Sequence, residues 1–241
     1  MANRQDIRDR RRKQKQRQRV VTMLIVVGVV FILAAVLMLP TITAAFTPVA
    51  EFIQPPLNPR PMANANAVGD PNAPVVILGF SDFGCSHCGV FAQTTGEEII
   101  QNYVATGQVY FVYHSVGSLL SNPNSTATAE AAYCAGDQNK FWEYHDILFA
   151  NQVDLFSNIN KKLDKTFSAY AQSLEMDVDA FESCLSSNKY QDEIQQDLID
   201  ARQAGINSTP SFLINGELVV GNLPYQEFQA LIEAKLAQAG P

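Results

Sequence analysis

The chain has 241 residues, 47% of them hydrophobic, with 17 Lys/Arg against 24 Asp/Glu and a net charge of −7. This length fits one folded domain with an appendage, and the acidic balance repels phosphate backbones, which excludes nucleic acid as an expected partner. The charge is unevenly placed, since residues 1–19 hold nine Lys/Arg against only Asp6 and Asp9, while the remainder holds 8 basic and 22 acidic residues.

Directly after this basic segment, Val20 to Leu39 is uncharged, with Thr22 its one polar interruption. Twenty apolar residues in a helix cross roughly 30 Å of hydrocarbon, so one N-terminal transmembrane helix is expected. Basic flanks stay cytoplasmic, which puts residues 1–19 inside and everything after Pro40 outside, at the cell membrane. A cleaved signal peptide is the alternative, with Thr43-Ala44-Ala45 as a poor site. Its apolar core would run only about 7–15 residues, however. Residues 40–67 hold six of the twelve prolines and no amphipathic period. They read as a linker that, extended, reaches at most roughly 85 Å.

Residues 68–241 read as one domain. Val75 to Phe80 and Val109 to Ser115 have strand character, with a helical stretch from Cys85 to about Thr106 between them, a β-α-β unit. From about 123 to 205 the pattern is helical: Ala127 to Ala135, Lys140 to Asn151, Phe167 to Leu174, Val178 to Ser186 with Asp177 as N-cap, and Tyr190/Ile194/Leu198 at four-residue spacing. Ser211 to Asn215 and Glu217 to Gly221 then form a hairpin about Asn215-Gly216. A last helix carries Phe228, Leu231, Ile232 and Leu236 on one face.

The β-α-β unit contains Cys85-Ser86-His87-Cys88. Two thiols at C-x-x-C spacing after a strand suit dithiol/disulfide exchange. A helix starting near Cys85 aims free N–H groups and its positive dipole end at that sulfur, which makes Cys85 the candidate nucleophile. Cys88, one turn further on, is placed to resolve a mixed disulfide. His87 can add a positive charge or a hydrogen bond to the thiolate, which makes the disulfide more oxidising. Zinc would need a second Cys/His pair at ligand spacing, which the sequence lacks, so no metal is expected. His114 and His145 stand apart and read as structural. Cys134 and Cys184, fifty residues apart in two helices, suit a buried structural disulfide worth about 4 kcal/mol in the chain-entropy model. Two free buried thiols are the alternative.

Taken together, Phe80-Ser81-Asp82-Phe83-Gly84-Cys85-Ser86-His87-Cys88, Lys140-Phe141-Trp142-Glu143-Tyr144-His145-Asp146 and Gly205-Ile206-Asn207-Ser208-Thr209-Pro210 resemble the DsbA-like thiol-disulfide oxidoreductases, over about Val68 to Gln238. The resemblance implies an α/β, thioredoxin-like fold with an inserted α-helical domain. It also implies a cis peptide at Thr209-Pro210 beside the C-x-x-C, with Thr209 offering backbone hydrogen bonds to substrate. Its further implications are no soluble cofactor and reoxidation by a quinone-linked membrane oxidoreductase. Two positions depart from the family. Gly79 stands where relatives commonly carry a buried Glu, so Asp82, water or another group must move the second cysteine's proton. Ser86 stands where proline is frequent. The expected function is an extracytoplasmic, monomeric oxidase that gives its Cys85–Cys88 disulfide to reduced exported polypeptides. An isomerase or reductase on the same fold is the nearest rival, and a non-catalytic peptide-binding module with a vestigial dithiol is a rival from another class.

Overall fold

The computed structural model describes residues 13, 15, 17, 19, 21–34, 51–117, 119, 122–157 and 163–240. The chain divides into two compact units, Met1–Ala50 and Glu51–Pro241. In the first, residues 21–34 form helix α1 with exposed apolar side chains such as Met23 and Phe31. No helix among the described residues is long and apolar enough to cross a membrane. Val20 and residues 35–39 of the expected span lie outside the described residues.

The second unit is built on a five-stranded sheet in the order β1-β3-β2-β4-β5. β1 (Ala67–Val68), β2 (Val75–Ser81), β3 (Val109–Ser115), β4 (Ser211–Ile214) and β5 (Glu217–Val220) are its strands. β2 and β3 run parallel in the register Val75↔Val109 to Ser81↔Ser115, and the other pairs are antiparallel. Asn215 and Gly216 both take positive φ, 48° and 83°, as a two-residue hairpin turn requires.

The helix expected from Cys85 to Thr106 is broken at Thr94 into α2 (Ser86–Gln93) and α3 (Thr95–Ile99), which continues into a π-helical turn, Ile100–Val104. After β3 come α4 (Pro123–Gly136), α5 (Phe141–Ala150), α6 (Gln152–Phe156), α7 (Asp164–Ser173), α8 (Val178–Ser186) and α9 (Gln191–Gln203). α10 (Tyr225–Ala239) closes the chain. Asp177 caps α8 by accepting the Ala180 N–H at 3.0 Å. Asn122 caps α4 in the same way, accepting from Asn124 N–H at 3.0 Å, with Pro123 at the first turn where no donor is needed. Phe91 of α2, Phe111 of β3, Phe212 of β4 and Phe228 of α10 form an aromatic cluster on one sheet face. Each contributes about 1.5–3 kcal/mol by leaving water.

The domain begins earlier than the Pro-rich composition suggests. The stretch assigned to the linker splits at Glu51, and its second half is a strap docked on the helices. Phe52 packs on Tyr170 at 4.6 Å between ring centroids. Asn151 clamps the Ile53 backbone in both directions at 2.8 Å, and Arg60 is held by Glu97 and Asp146. Proline-rich extended backbone makes no internal hydrogen bonds, so a free tether and a docked strap look alike in sequence. The side chains that dock it reveal the difference only in three dimensions.

Candidate active site

β2 ends at Ser81, and the chain turns through Asp82-Phe83-Gly84 into α2. Asp82 Oδ1 accepts the Gly84 N–H at 2.7 Å and its carbonyl accepts the Cys85 N–H at 3.0 Å. Gly84 is required by crowding, because a Cβ there would lie 2.7 Å from Phe156 Cε1 and 2.8 Å from Ser125 Oγ. Gln152 of α6 fixes the same turn from the insertion, donating from Nε2 to the Phe83 carbonyl at 2.6 Å and the Cys85 carbonyl at 2.8 Å.

Cys85 is the N-cap residue of α2, in extended conformation. Its sulfur therefore sits where a capping Ser or Asp would place its oxygen, against the orphan N–H groups of the first turn. The Cys85 thiol is lowered from 9.0 to about 5, first by a hydrogen bond from the Cys88 thiol. The Thr209 side chain and the backbone N–H groups of Cys88 and His87 add to this, and partial burial opposes it. In the thiol form Cys85 Sγ donates to the Thr209 carbonyl at 3.4 Å, across the cis Thr209-Pro210 bond's edge of β4. The buried Thr209 hydroxyl has no other partner.

Cys88, only 1% exposed, is pushed well above the ordinary thiol value by burial and by the neighbouring Cys85. Both cysteines are free thiols here, so the structure is of the reduced form. Asp82 is fully buried, and desolvation raises its carboxyl from 3.8 to about 6 against the hydrogen bonds of Ser125 and Gly84. Its other charge interaction is with Cys85.

The structure thus brings Cys85, Cys88, Thr209 and Pro210 together. His87 reaches Cys85 through its backbone N–H, while its imidazole is on the exposed face of α2. Cys134 and Cys184 are bonded to each other, joining α4 to α8 within the insertion. Gln152, Ser81, Tyr113 and Ser125 were not singled out by sequence reasoning. Gln152 acts across 67 residues, and nothing local in the sequence signals that distance. Ser81 could have been suspected, as the last inward residue of the strand leading to the C-x-x-C.

A thioredoxin-type sheet carrying a C-x-x-C at a helix start, opposite a cis-proline and beneath an inserted helical domain, defines a dithiol/disulfide exchange site. Residues 63–234 match the family model described as "Thioredoxin", and the chain belongs to that family. By fold the chain is similar to BdbD from Bacillus subtilis in its oxidised form, at a TM-score of 0.64 and 20% identity over 74% of this chain and 96% of that one. It is equally similar to Wolbachia pipientis alpha-DsbA1, at a TM-score of 0.64 and 22% identity over 75% and 94% of the two chains. Among curated proteins, a Na(+)/H(+) antiporter NhaA 1 of Salinispora arenicola is 29% identical over 70% of this chain. The match spans only about a quarter of that relative's length (24%). A probable disulfide bond formation protein D of Bacillus cereus is 22% identical over 88% of this chain and 97% of its own length. The relatives by sequence thus include antiporters, matched over about a quarter of their length, and a probable disulfide bond formation protein, matched over nearly all of its own.

Proposed function

We infer that this protein is an extracytoplasmic thiol-disulfide oxidase, held at the membrane by Val20–Leu39, that passes the Cys85–Cys88 disulfide to reduced exported polypeptides. The observation that carries this reading is the asymmetry of the dithiol: Cys85 caps the start of α2, against its free N–H groups, while Cys88 is buried within the helix. Stabilising the thiolate stabilises the reduced enzyme, which makes the disulfide a stronger oxidant.

In the reaction, a client thiolate attacks Cys85 Sγ of the disulfide. The Cys85–Cys88 bond breaks, the Cys85–client bond forms, and Cys88 leaves with the electron pair and takes up a proton. A second client thiolate then attacks the client sulfur of the mixed disulfide, the client disulfide forms, and Cys85 departs as the stable anion. The edge at Thr209 lies beside Cys85 and offers backbone groups to an extended client segment. Clients, a quinone-linked membrane partner for reoxidation, and a monomeric state belong to the same reading.

Equilibration of the full chain with glutathione tests it. An oxidase gives a potential above roughly −200 mV, well above the roughly −270 mV of thioredoxin. A value at or below thioredoxin's would assign the chain to reduction instead, and failure to exchange with any reduced protein would leave only a binding module.

A further inference from the structure

Resting on the exchange reaction above, one step has no evident agent: Cys88 leaves as a thiolate 1% exposed to solvent and must be protonated from inside. Asp82 through its backbone and Ser81 through its hydroxyl both reach Cys88, and burial and the neighbouring Cys85 push its thiol up against them. A Cβ on Gly79 would lie 2.8 Å from Phe111 Cζ, so no acid fits there.

Behind Cys88, however, lies a cavity of about 20 Å³ bounded by Ser81, Tyr113, His145, Arg60 and Glu97. That is room for a single water. Its wall carries buried polar atoms without a protein partner: the Tyr113 hydroxyl, Arg60 Nε and Nη1, and Glu97 Oε2. Buried polar groups are nearly always satisfied, by water where protein does not reach, and these supply the two to four contacts a buried water makes.

His145 is 5% exposed and wedged among Phe83, Tyr113, Trp142 and Phe149. Its Nδ1 donates to Asp146 Oδ1 at 2.8 Å, and Asp146 Oδ2 accepts from Arg60 Nη2 at 2.6 Å. Arg60 also pairs with Glu97. Two carboxylates and one guanidinium leave one negative charge in this buried cluster, and a proton on the imidazole cancels it. An uncompensated buried charge is costly. Asp146 is held below the usual carboxylate range against its own burial, by His145 first and then by Arg60.

We propose that His145 is the proton relay for Cys88, working through a water in this cavity, with Asp146, Arg60 and Glu97 fixing the ring and its charge. When the Cys85–Cys88 bond breaks, the imidazolium gives its proton to the cavity water, which passes one to Cys88 Sγ. The products are a neutral imidazole and a neutral Cys88 thiol. In reoxidation the proton returns by the same path, freeing the Cys88 thiolate to close the disulfide. The strap carrying Arg60, α3 carrying Glu97 and the insertion's α5 carrying His145 and Asp146 thus meet at one task.

The test uses the full chain and its single tryptophan, Trp142, which lines the same cavity, as a fluorescence reporter of disulfide reduction by a two-cysteine peptide. His145→Gln keeps a donor for Asp146 but cannot relay a proton. The variant should be reduced about 100-fold more slowly near pH 6. The ratio of wild-type to variant rates should change between pH 6 and about 9, as a relay requires and a packing defect does not. The groups facing the ring in that range are Asp146, Arg60, Tyr113, Glu97 and Cys88, and each is common to both proteins. Histidine ¹⁵N shifts of the unaltered chain give a second measurement should the variant not fold: the His145 ring signals should differ between the disulfide and dithiol forms at one pH. Equal rates at every pH, or a His145 signal indifferent to redox state, overturns the relay while leaving the oxidase reading intact. A wild-type chain that exchanges no disulfides overturns that reading itself.

Discussion

The molecule contains two cysteine pairs, and all four residues are buried by the same measure: Cys85 and Cys184 at 8% exposure, Cys88 at 1% and Cys134 at 0%. Burial therefore does not separate the reactive pair from the inert one. Backbone position does. Cys134 and Cys184 lie inside α4 and α8, where the N–H groups are already committed to helical carbonyls. Cys85 is an N-cap, with two uncommitted N–H groups, a neighbouring thiol and the Thr209 hydroxyl directed at one sulfur. Thiol reactivity in this chain belongs to the start of a helix, and cross-linking belongs to the helix interior.

The strongest way to break this comparison is to remove one sulfur from each pair. Cys85→Ser should abolish disulfide transfer to a reduced protein, and its thermal stability should match that of the wild-type reduced form only below about pH 5, where the thiol carries no charge in either state. Cys134→Ser should leave the transfer rate of the folded chain unchanged but cost about 4 kcal/mol of stability in denaturant titration, through loss of a fifty-residue cross-link. A Cys134→Ser chain that is stable but slow, or a Cys85→Ser chain that still transfers, would erase the division of labour.

Most of this division was legible in the sequence. The apolar alternation of 75–80 and 109–115, the C-x-x-C between them, and the Asn215-Gly216 turn placed the sheet, and the period of 123–205 placed the insertion. Each of those signals is local, a matter of propensity and spacing within one segment. What was not legible is what crosses between segments. The hold of Gln152 on the Cys85 carbonyl, the docking of residues 51–67, the break at Thr94 and the two-residue β1 depend on partners far away in the chain, which no window reveals. A lone histidine on an apolar helix, as His145 is, reads as structural, and nothing local signals the Asp146 and Arg60 contacts beside it, the latter arriving from what resembles a linker.

Gln152 sharpens the comparison at the level of the turn. Gln152→Ala removes two hydrogen bonds to the turn; the Cys85 carbonyl keeps the Gly89 N–H, while the Phe83 carbonyl loses its donor, at about 1–3 kcal/mol. Stability should fall by that order and the Cys85 thiol should titrate higher, since the turn that aims the His87 and Cys88 amides is loosened. Absorbance titration of the thiolate reads the second effect separately from the first. A variant that loses stability with no change in titration would show that the turn holds its shape from the Asp82 side alone.

A smaller effect is expected from Thr209→Val, which deletes the hydroxyl but retains the carbonyl that accepts from Cys85 Sγ. The Cys85 thiol should rise by about one pH unit, corresponding to about 1.4 kcal/mol, the scale of one hydrogen bond to a charged group. The disulfide should become correspondingly less oxidising. No change would mean that the helix start and Cys88 hold the anion without help from the β4 edge.

The smallest and most general effect concerns pH, where the two redox forms of one protein serve as each other's control. In the dithiol form the folded Cys85 thiol titrates near 5, whereas in the unfolded chain it titrates near 8.5. Between those values the unfolded state binds a proton that the folded state does not, so stability of the dithiol form rises with pH across that window and is lost as pH falls through about 5. Cys88 adds nothing there, because its thiol is protonated in both states until higher pH, and its raised value begins to oppose stability only above the unfolded thiol's range. Asp82 works in the opposite sense at lower pH. Its carboxyl, raised from 3.8 to about 6, lowers stability as pH rises from about 4 to 6, and does so in both redox forms. Subtracting the denaturant midpoints of the disulfide form from those of the dithiol form at each pH therefore cancels Asp82 to first order and leaves Cys85. The difference should climb in favour of the dithiol between about pH 5 and 8.5 and then turn down, as Cys88 ionises in the unfolded chain while the folded one keeps its proton. A flat difference over that interval would mean that the sulfur at the helix start is an ordinary thiol, and that its position beside Thr209 rather than its charge is what the fold provides.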